Sequence, residues 1–172
     1  MIIIANAIEE FSGEYRWLSN FWPSPVQLDG VTYPTVEHAY QAAKTLDEEG
    51  RKSILAAPTP GKAKRTGRKV PMRPDWEDVK ISVMEDLLRQ KFAPRSPLGR
   101  MLAATGERQI TEGNAWGDVF WGVSKGAGQN HLGRLIMKIR DESRREDRLK
   151  ALEELSSQAQ ELDMGYEPES ET

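Results

Sequence analysis

One acidic side chain, Glu37, stands where a helix is expected to begin, close to aromatic residues and a lysine. Pro34 disfavours helix before it, and Thr35 is a good N-cap residue. Because the first turn of a helix offers free N–H groups and the positive end of the helix dipole, we expect the ionised form of Glu37 to be favoured. An ionised carboxylate there can stabilise a cation or activate water. The alternative is that Glu37 only helps to cap the helix.

A second carboxylate and a set of tryptophans occupy Gly- and Pro-rich stretches. Asp118 lies in a tight turn flanked by glycines, which can aim its side chain into a cleft or form an Asx turn. Tryptophans in such stretches, or at a helix start, often line pockets and stack on a base or sugar. For Trp17 and Trp121 a place in the core is an equally good interpretation. The tryptophans are Trp17, Trp22, Trp76, Trp116 and Trp121.

Composition limits the kinds of chemistry that are open to this chain. Its 172 residues fit one domain with a real core, and no apolar run has membrane-spanning length. The opening residues lack the basic region of a signal peptide. The absence of cysteine excludes disulfides, thiolate nucleophiles and Cys-ligated metal sites, and it suits a cytoplasmic location. With only two histidines, carboxylates are left as the general acid–base groups, and we expect no metal.

The charge is distributed unevenly along the chain. Residues 1–140 contain 20 Lys and Arg against 16 Asp and Glu, whereas residues 141–172 contain 4 against 11. A mildly basic body is compatible with a ligand that carries phosphate, but it is well short of the dense basic patch of a DNA-binding domain. We expect residues 163–172 to form a disordered acidic tail.

Local patterns predict short strands followed by several helices. Val26–Leu28 and Val31–Tyr33 flank Asp29-Gly30, which is a hairpin signal. Asp75 is the expected cap of the strongest helix. The other predicted elements are strands at residues 1–5 and 109–111, helices at 35–46, 48–57, 61–68 and 98–104, and a helix that begins after Gln129-Asn130 and continues past Arg140.

Several motifs, taken together and in this order, resemble the NADAR (YbiA-like) superfamily. They are Leu18-Ser-Asn-Phe21, Thr35-Val-Glu-His-Ala-Tyr-Gln41 with Lys44, Gly67-Arg68 followed by Arg73 and Trp76, Gly113-Asn-x-Trp116 with Asp118 and Trp121-Gly122, and Asn130-x-Leu-Gly133. The resemblance covers residues 8–140 without a break. It therefore implies a domain over residues 1–140, which leaves a helical extension at residues 141–162 and the acidic tail.

The resemblance implies an N-glycosidase that cuts a bond between ribose C1 and nitrogen. Family members are associated with phosphoribosyl pyrimidine intermediates of riboflavin synthesis, and with ADP-ribose attached to guanine bases of DNA or RNA. The implied fold is a compact α+β domain, mostly helical, with a small antiparallel β-sheet. We expect no cofactor and no membrane association; the alternative function is a non-catalytic module that binds ADP-ribose or a nucleotide. Oligomeric state is left open.

Roles can be assigned to residues that match these motifs. Glu37 would stabilise the oxocarbenium-like state of the ribose, as carboxylates do in glycosidases, and Asp118 would act as a base for water or hold ribose hydroxyls. Trp76, a third candidate catalytic residue, would sandwich the base or ribose with Trp116. Candidate phosphate ligands are Arg16, Lys44, Arg68 and Arg73. Further expected substrate contacts are Ser19, Asn20, Phe21, Tyr40 and Trp121.

Overall fold

A computed structural model describes residues 7–164 of the chain, and their side chains as far as residue 160. The strand expected at residues 1–5 lies outside the described residues. So does the predicted acidic tail, apart from its first two residues, which are helical.

The strands form two small sheets. β2 (Val26–Leu28) and β3 (Val31–Tyr33) make the predicted antiparallel hairpin, in which Asp29 and Gly30 have φ of 50° and 78°. Positive φ at both central residues is typical of the tight turns that join such strands. The second sheet contains β1 (Ile8–Glu10), β4 (Ile110–Asn114) and β5 (Val123–Ser124), in the order β1-β4-β5. Its strands are parallel, so the prediction of antiparallel pairing holds for the hairpin alone.

Six α-helices and one 3-10 helix are present in the described part of the chain. Thr35 accepts a backbone N–H at a helix start, as predicted, and Asp47, Thr59 and Ser96 do the same at three other helix starts. Asp75 makes no such bond, because its carboxylate pairs instead with Arg73, 2.6 Å away. The helices are α1 (Val36–Ala43), α2 (Glu48–Leu55), α3 (Pro60–Gly67), α4 (Trp76–Lys91), α5 (Pro97–Ala104) and α6 (His131–Met164), and the 3-10 helix is Gly13–Leu18.

Helix α1 lies at the centre of the fold, and all eight of its residues are buried. It packs against α2, α3 and α4. Buried polar side chains need hydrogen-bond partners, and His38 has one for each ring nitrogen: Thr35 Oγ1 at 2.8 Å and the Ala57 carbonyl oxygen at 3.0 Å. His38 is therefore a structural residue. Glu37, Tyr40 and Gln41 are the side chains that α1 presents to a cavity.

Helix α6 first packs on the domain and then leaves it. Leu135, Ile136 and Ile139 are buried, and the buried Arg140 donates to the Arg108 carbonyl oxygen at 2.7 Å. Every side chain from Arg145 to Gln160 is exposed, although the helix continues unbroken. In the described part of the chain, no helix has both the length and the apolar character to cross a membrane.

Candidate active site

A cavity of about 670 Å³ lies between α1, α3, the loop after the 3-10 helix and the segment from β4 to β5. It brings together side chains that are far apart in the sequence. Ten of the predicted site residues line it: Ser19, Asn20, Phe21, Glu37, Tyr40, Lys44, Arg68, Trp116, Asp118 and Trp121.

Glu37 projects from the first turn of α1 into this cavity, and it is 6% exposed. Gln41, one helical turn later, donates to Glu37 Oε1 at 2.7 Å. Burial raises the pKa of Glu37, although Gln41, Lys64 and Lys44 oppose the shift. The expectation that the helix start would favour the ionised form is therefore wrong, because loss of solvent outweighs it. The interpretation of Glu37 as a cap also fails, since Thr35 provides the capping oxygen.

Three cationic side chains surround the Glu37–Gln41 pair. Lys44 donates to Gln41 Oε1 at 3.3 Å, and burial lowers the pKa of Lys44. Lys64 and Arg68 reach the cavity from α3 and from its C-terminal cap, and within the described residues neither forms an ion pair. Positive charge not neutralised by protein carboxylates is available to an anionic group of a ligand.

Glu112 is a further carboxylate in the cavity that the sequence analysis did not identify. It lies in β4, where its Oε2 accepts from Asn114 Nδ2 at 3.2 Å. Burial, together with the charge of Asp118, raises the pKa of Glu112 to about 7. A carboxyl group with that pKa exchanges protons at neutral pH, as a general acid or base must.

Asp118 combines the two alternatives that its sequence position suggested. Its Oδ1 accepts from the backbone N–H groups of Phe120 at 3.0 Å and Trp121 at 2.8 Å, which is the Asx-type turn. The residue also lines the cavity. Asn114 fixes the turn, because its side chain bonds both backbone groups of Asp118 and also reaches Glu112. Asp118 and Glu112 are thus held by one shared asparagine.

Aromatic rings form one side of the cavity. Trp121 donates to the Tyr40 hydroxyl at 3.2 Å, and their rings meet edge to face with centroids 5.6 Å apart. Burial raises the pKa of Tyr40 above its usual range, so its hydroxyl stays neutral. Trp116 differs from both, because it is 66% exposed at the cavity mouth. A large ring exposed beside a cavity can stack on a ligand with little rearrangement.

The loop Ser19–Phe21 also lines the cavity, and it is held by a buried lysine. Lys91 of α4 is 3% exposed and donates to the Ser19 carbonyl oxygen at 2.6 Å. Burial lowers the pKa of Lys91 to about 7. The Asn20 backbone carbonyl accepts from the Glu37 N–H at 3.1 Å, so the loop is tied to α1 as well. Asn20 Oδ1 is buried without a partner in the described residues, which leaves an acceptor unused beside the cavity.

Three predicted site residues lie elsewhere. Trp76 is 3% exposed and packs its ring 5.0 Å from that of Tyr40, so it supports the cavity wall from behind and cannot sandwich a ligand. The start of α4 faces the core, which reverses our expectation for this ring. Arg16 is exposed on the 3-10 helix, outside the cavity lining. Arg73 pairs with Asp75 and also lies outside the lining.

Some cavity residues that we missed had a signal in the sequence. Gln41 follows Glu37 by four residues and Lys64 precedes Arg68 by four, and this spacing places helical residues on one face. The signal for Glu112 was weaker, because the predicted strand ends at residue 111, whereas β4 continues through Glu112 to Asn114. The other missed lining residues are Glu10, Phe11, Ser12, Met84, Gly113 and Leu132.

Comparison with known proteins places this geometry in a family. The chain is 40% identical over 134 residues to N-glycosidase YbiA of Escherichia coli, which covers 76% of this chain and 83% of that protein. It is 35% identical over 136 residues to an N-glycosidase of Nostoc punctiforme, covering 76% and 86% of the two chains. A riboflavin biosynthesis protein of Vibrio vulnificus is 36% identical over 131 residues, which are 74% of this chain and 35% of that protein.

A solved structure and a family model lead to the same assignment as these relatives. The fold matches the NMR structure of E. coli YbiA with a TM-score of 0.71 and 35% identity, covering 85% of this chain and 92% of that one. The family model of the NADAR domain matches residues 8–144. Because the match spans most of the chain, and includes every residue that lines the cavity, the chain belongs to the NADAR domain family.

Proposed function

We propose that this chain is an N-glycosidase that hydrolyses a bond between ribose C1 and a nitrogen of a base. The observation that carries the proposal is that one cavity holds two carboxyl groups, the buried Glu37 and the half-buried Glu112, together with cations that form no ion pair within the described residues and an exposed indole. N-glycosidase is also the name of the relatives in E. coli and N. punctiforme.

The reaction needs three actions from the protein. As the C1–N bond breaks, its electron pair goes to the base nitrogen, which must gain a proton, and positive charge develops on C1 and the ring oxygen. Glu112, with a pKa of about 7, supplies that proton. Glu37, in its ionised form, stabilises the developing positive charge. Water then adds to C1 and gives its proton to a carboxylate, for which Asp118 is the candidate.

Cations of α1 and α3 would bind the phosphate of the substrate. Lys44, Lys64 and Arg68 all line the cavity. The positive charges of Lys64 and Lys44 lower the pKa of Glu37 and so oppose the effect of burial. A phosphate bound to these lysines would neutralise part of their charge and weaken that opposition. We therefore expect substrate phosphate to favour a protonated Glu37 unless the developing cation compensates for it. The charge on Glu37 is thus most favourable when the ribose becomes cationic.

The first candidate substrate is a phosphoribosyl pyrimidine intermediate of riboflavin synthesis. It carries one phosphate, one ribose and a flat base, which match the cations, the carboxylates and Trp116. The name of the V. vulnificus relative, a riboflavin biosynthesis protein, supports this choice.

The second candidate substrate is guanine in DNA or RNA that carries ADP-ribose, and a specific surface favours it. Residues 58–74 contain six Lys and Arg and no acid. Among them, Lys62, Arg65 and Lys69 line a shallow hollow beside the cavity. Arg68 lines both this hollow and the cavity. Cations that continue past the cavity suit a ligand with more than one phosphate.

Direct hydrolysis assays separate these candidates. The purified chain would be incubated with a phosphoribosyl aminopyrimidine, and separately with an oligonucleotide carrying ADP-ribosyl guanine. Release of ribose phosphate or of ADP-ribose would be followed by chromatography. The proposal expects release from at least one substrate, and release at least ~10²-fold slower with Glu37→Gln. Tight binding of both without release would instead support the non-catalytic binding module. A cytoplasmic location is part of the proposal, and cell fractionation would test it.

A further inference from the structure

The exposed half of α6 carries large apolar side chains that nothing in the described chain covers. Leu149, Leu152 and Leu155 are 53%, 62% and 62% exposed. The helix here has left the domain, since every side chain from Arg145 to Gln160 is exposed. Isolated leucines on a surface are common, but three within seven residues of a projecting helix form a stripe.

Two of these leucines, Leu152 and Leu155, follow the spacing of a short coiled-coil seam. With about 100° between successive helical residues, Leu152, Leu155 and Ala159 fall within about 60° of one another. They occupy alternating three- and four-residue steps, which is the a and d pattern of a heptad. Arg148 continues the same line one turn earlier. Leu149 lies about 90° from the centre of the seam, at its edge.

The two ends of the same segment carry opposite net charge. Residues 144–150 contain four Lys and Arg against two acids, whereas residues 153–163 contain four acids and no base. Two such segments that run parallel would place acid against acid at one end. Two that run antiparallel would place the basic end of each against the acidic end of the other.

We propose that the exposed half of α6 pairs with a second copy of this chain as a short antiparallel coiled coil. In this arrangement Leu152 packs against Leu155 of the partner subunit, and the reverse contact completes a central layer of four leucines. Arg148 lies opposite the small Ala159 of the partner subunit, so that its guanidinium reaches the partner's acidic end. The two-fold symmetry makes the interface the same patch on both subunits.

A second copy fits this surface better than an unrelated partner does, because the complementary surface is already present in the chain. The stripe is apolar, and the segment around it is basic at one end and acidic at the other, so each copy carries a surface complementary to that of the other. The seam covers only about two heptads, and a seam of that length is marginal in water. We therefore expect a dimer that dissociates on dilution and on raising the salt concentration.

Analytical ultracentrifugation of the full chain over a range of concentrations tests the pairing. The wild type should change from monomer to dimer, and Leu152→Gln with Leu155→Gln should remain monomeric under the same conditions. Leu149→Gln, at the edge of the seam, is the matched control and should shift the dimer dissociation constant by a much smaller factor. Equal thermal melting of the domain in all variants would show that folding is unaffected. A wild type that stays monomeric at every concentration, or a double variant that still dimerises, overturns the proposal.

Disulfide trapping tests the direction, and the absence of native cysteine leaves no background. Arg148→Cys and Ala159→Cys chains, mixed and oxidised, should form the mixed disulfide, while each chain alone should not. Disulfides from either chain alone would show a parallel pair and refute the antiparallel arrangement. Absence of any disulfide in a preparation that is dimeric by ultracentrifugation would show that the dimer uses another surface.

Discussion

Gly67, at the end of α3, lies directly against the side chain of Gln41 in α1. A Cβ atom at position 67 would overlap Gln41 Oε1, and its other near neighbours also belong to Gln41. Gln41 in turn donates to Glu37 and accepts from Lys44. The absence of a side chain at Gly67 therefore lets α3 approach closely enough to place Lys64 beside the carboxylate of α1.

Replacing Gly67 by alanine should disturb this arrangement. The new methyl group must displace Gln41 or move α3, and overpacking of this kind costs about 1–3 kcal/mol of unfolding free energy. We also expect slower hydrolysis, because Glu37 loses its hydrogen-bond donor. Gly61→Ala is the matched control in the same helix, where a Cβ meets nothing within 4 Å. Urea denaturation and rate measurements on both variants check this, and equal stability of the two would contradict it.

Glu37→Gln should leave the fold intact and slow hydrolysis by at least ~10²-fold, the scale for removing one electrostatic contribution to a transition state. The amide is similar in size and can still bond Gln41, so circular dichroism and melting temperature should match the wild type. The rate at saturating substrate is the measurement that decides. A variant as fast as the wild type would show that this carboxylate has no chemical role.

The local elements could be predicted from the sequence because their signals are local. The turn at Asp29-Gly30 and the cap Thr35 depend on neighbours within four residues, and they form as predicted. The parallel pairing of β1 with β4 could not be found in this way. It joins Ile8 to Ile110, and no local pattern records such a contact.

The site was partly predictable for the same reason. The residue types pointed to Glu37, but the sign of its pKa shift depends on how much protein surrounds it, which only the packed structure gives. Trp76 failed similarly: its place at the start of α4 suggested a cleft, yet that helix end is buried under Tyr40. Residue type and spacing indicated the chemistry, whereas burial decided which side chains take part.

Glu112→Gln should change how stability depends on pH. The folded-state pKa of Glu112 is about 7, above the ordinary value of 4.5, so the folded protein holds an extra proton between these pH values. Stability from this group is therefore present at acidic pH and is lost as pH rises toward 8. The unfolding free energy of the wild type should fall more steeply from pH 5 to pH 8 than that of Glu112→Gln. Parallel profiles for the two proteins would show that Glu112 is solvated.

The same variant should also lower the rate. A glutamine cannot give up a proton, and loss of a general acid typically costs about 10²- to 10⁴-fold. The exposed Glu107→Gln is the control and should follow the wild type in stability and rate. Hydrolysis by Glu112→Gln at the wild-type rate would remove Glu112 from the mechanism.

Two tryptophans should respond in opposite ways to truncation. Trp116→Ala removes an exposed ring at the cavity mouth, so ligand affinity should weaken by about 1–3 kcal/mol with little change in melting temperature. Trp76→Ala empties a buried position and should cost about 3–5 kcal/mol of unfolding free energy. Calorimetric titration with a ribose phosphate ligand and thermal melting measure both. An unchanged affinity for Trp116→Ala would place the ligand elsewhere.

Ending the chain after Arg148 should leave the domain folded and the hydrolysis rate close to that of the full chain. Every side chain from Arg145 to Gln160 is exposed, so the truncation removes no core contact in the described residues. Ending it after Met137 is the contrasting variant, since this removes the buried Ile139 and Arg140, and it should lower the melting temperature strongly. Thermal melting and rates of both truncated chains give the comparison. Insolubility or inactivity of the chain that ends at Arg148 would mean that the leucine stripe supports the domain itself, against what its exposure implies.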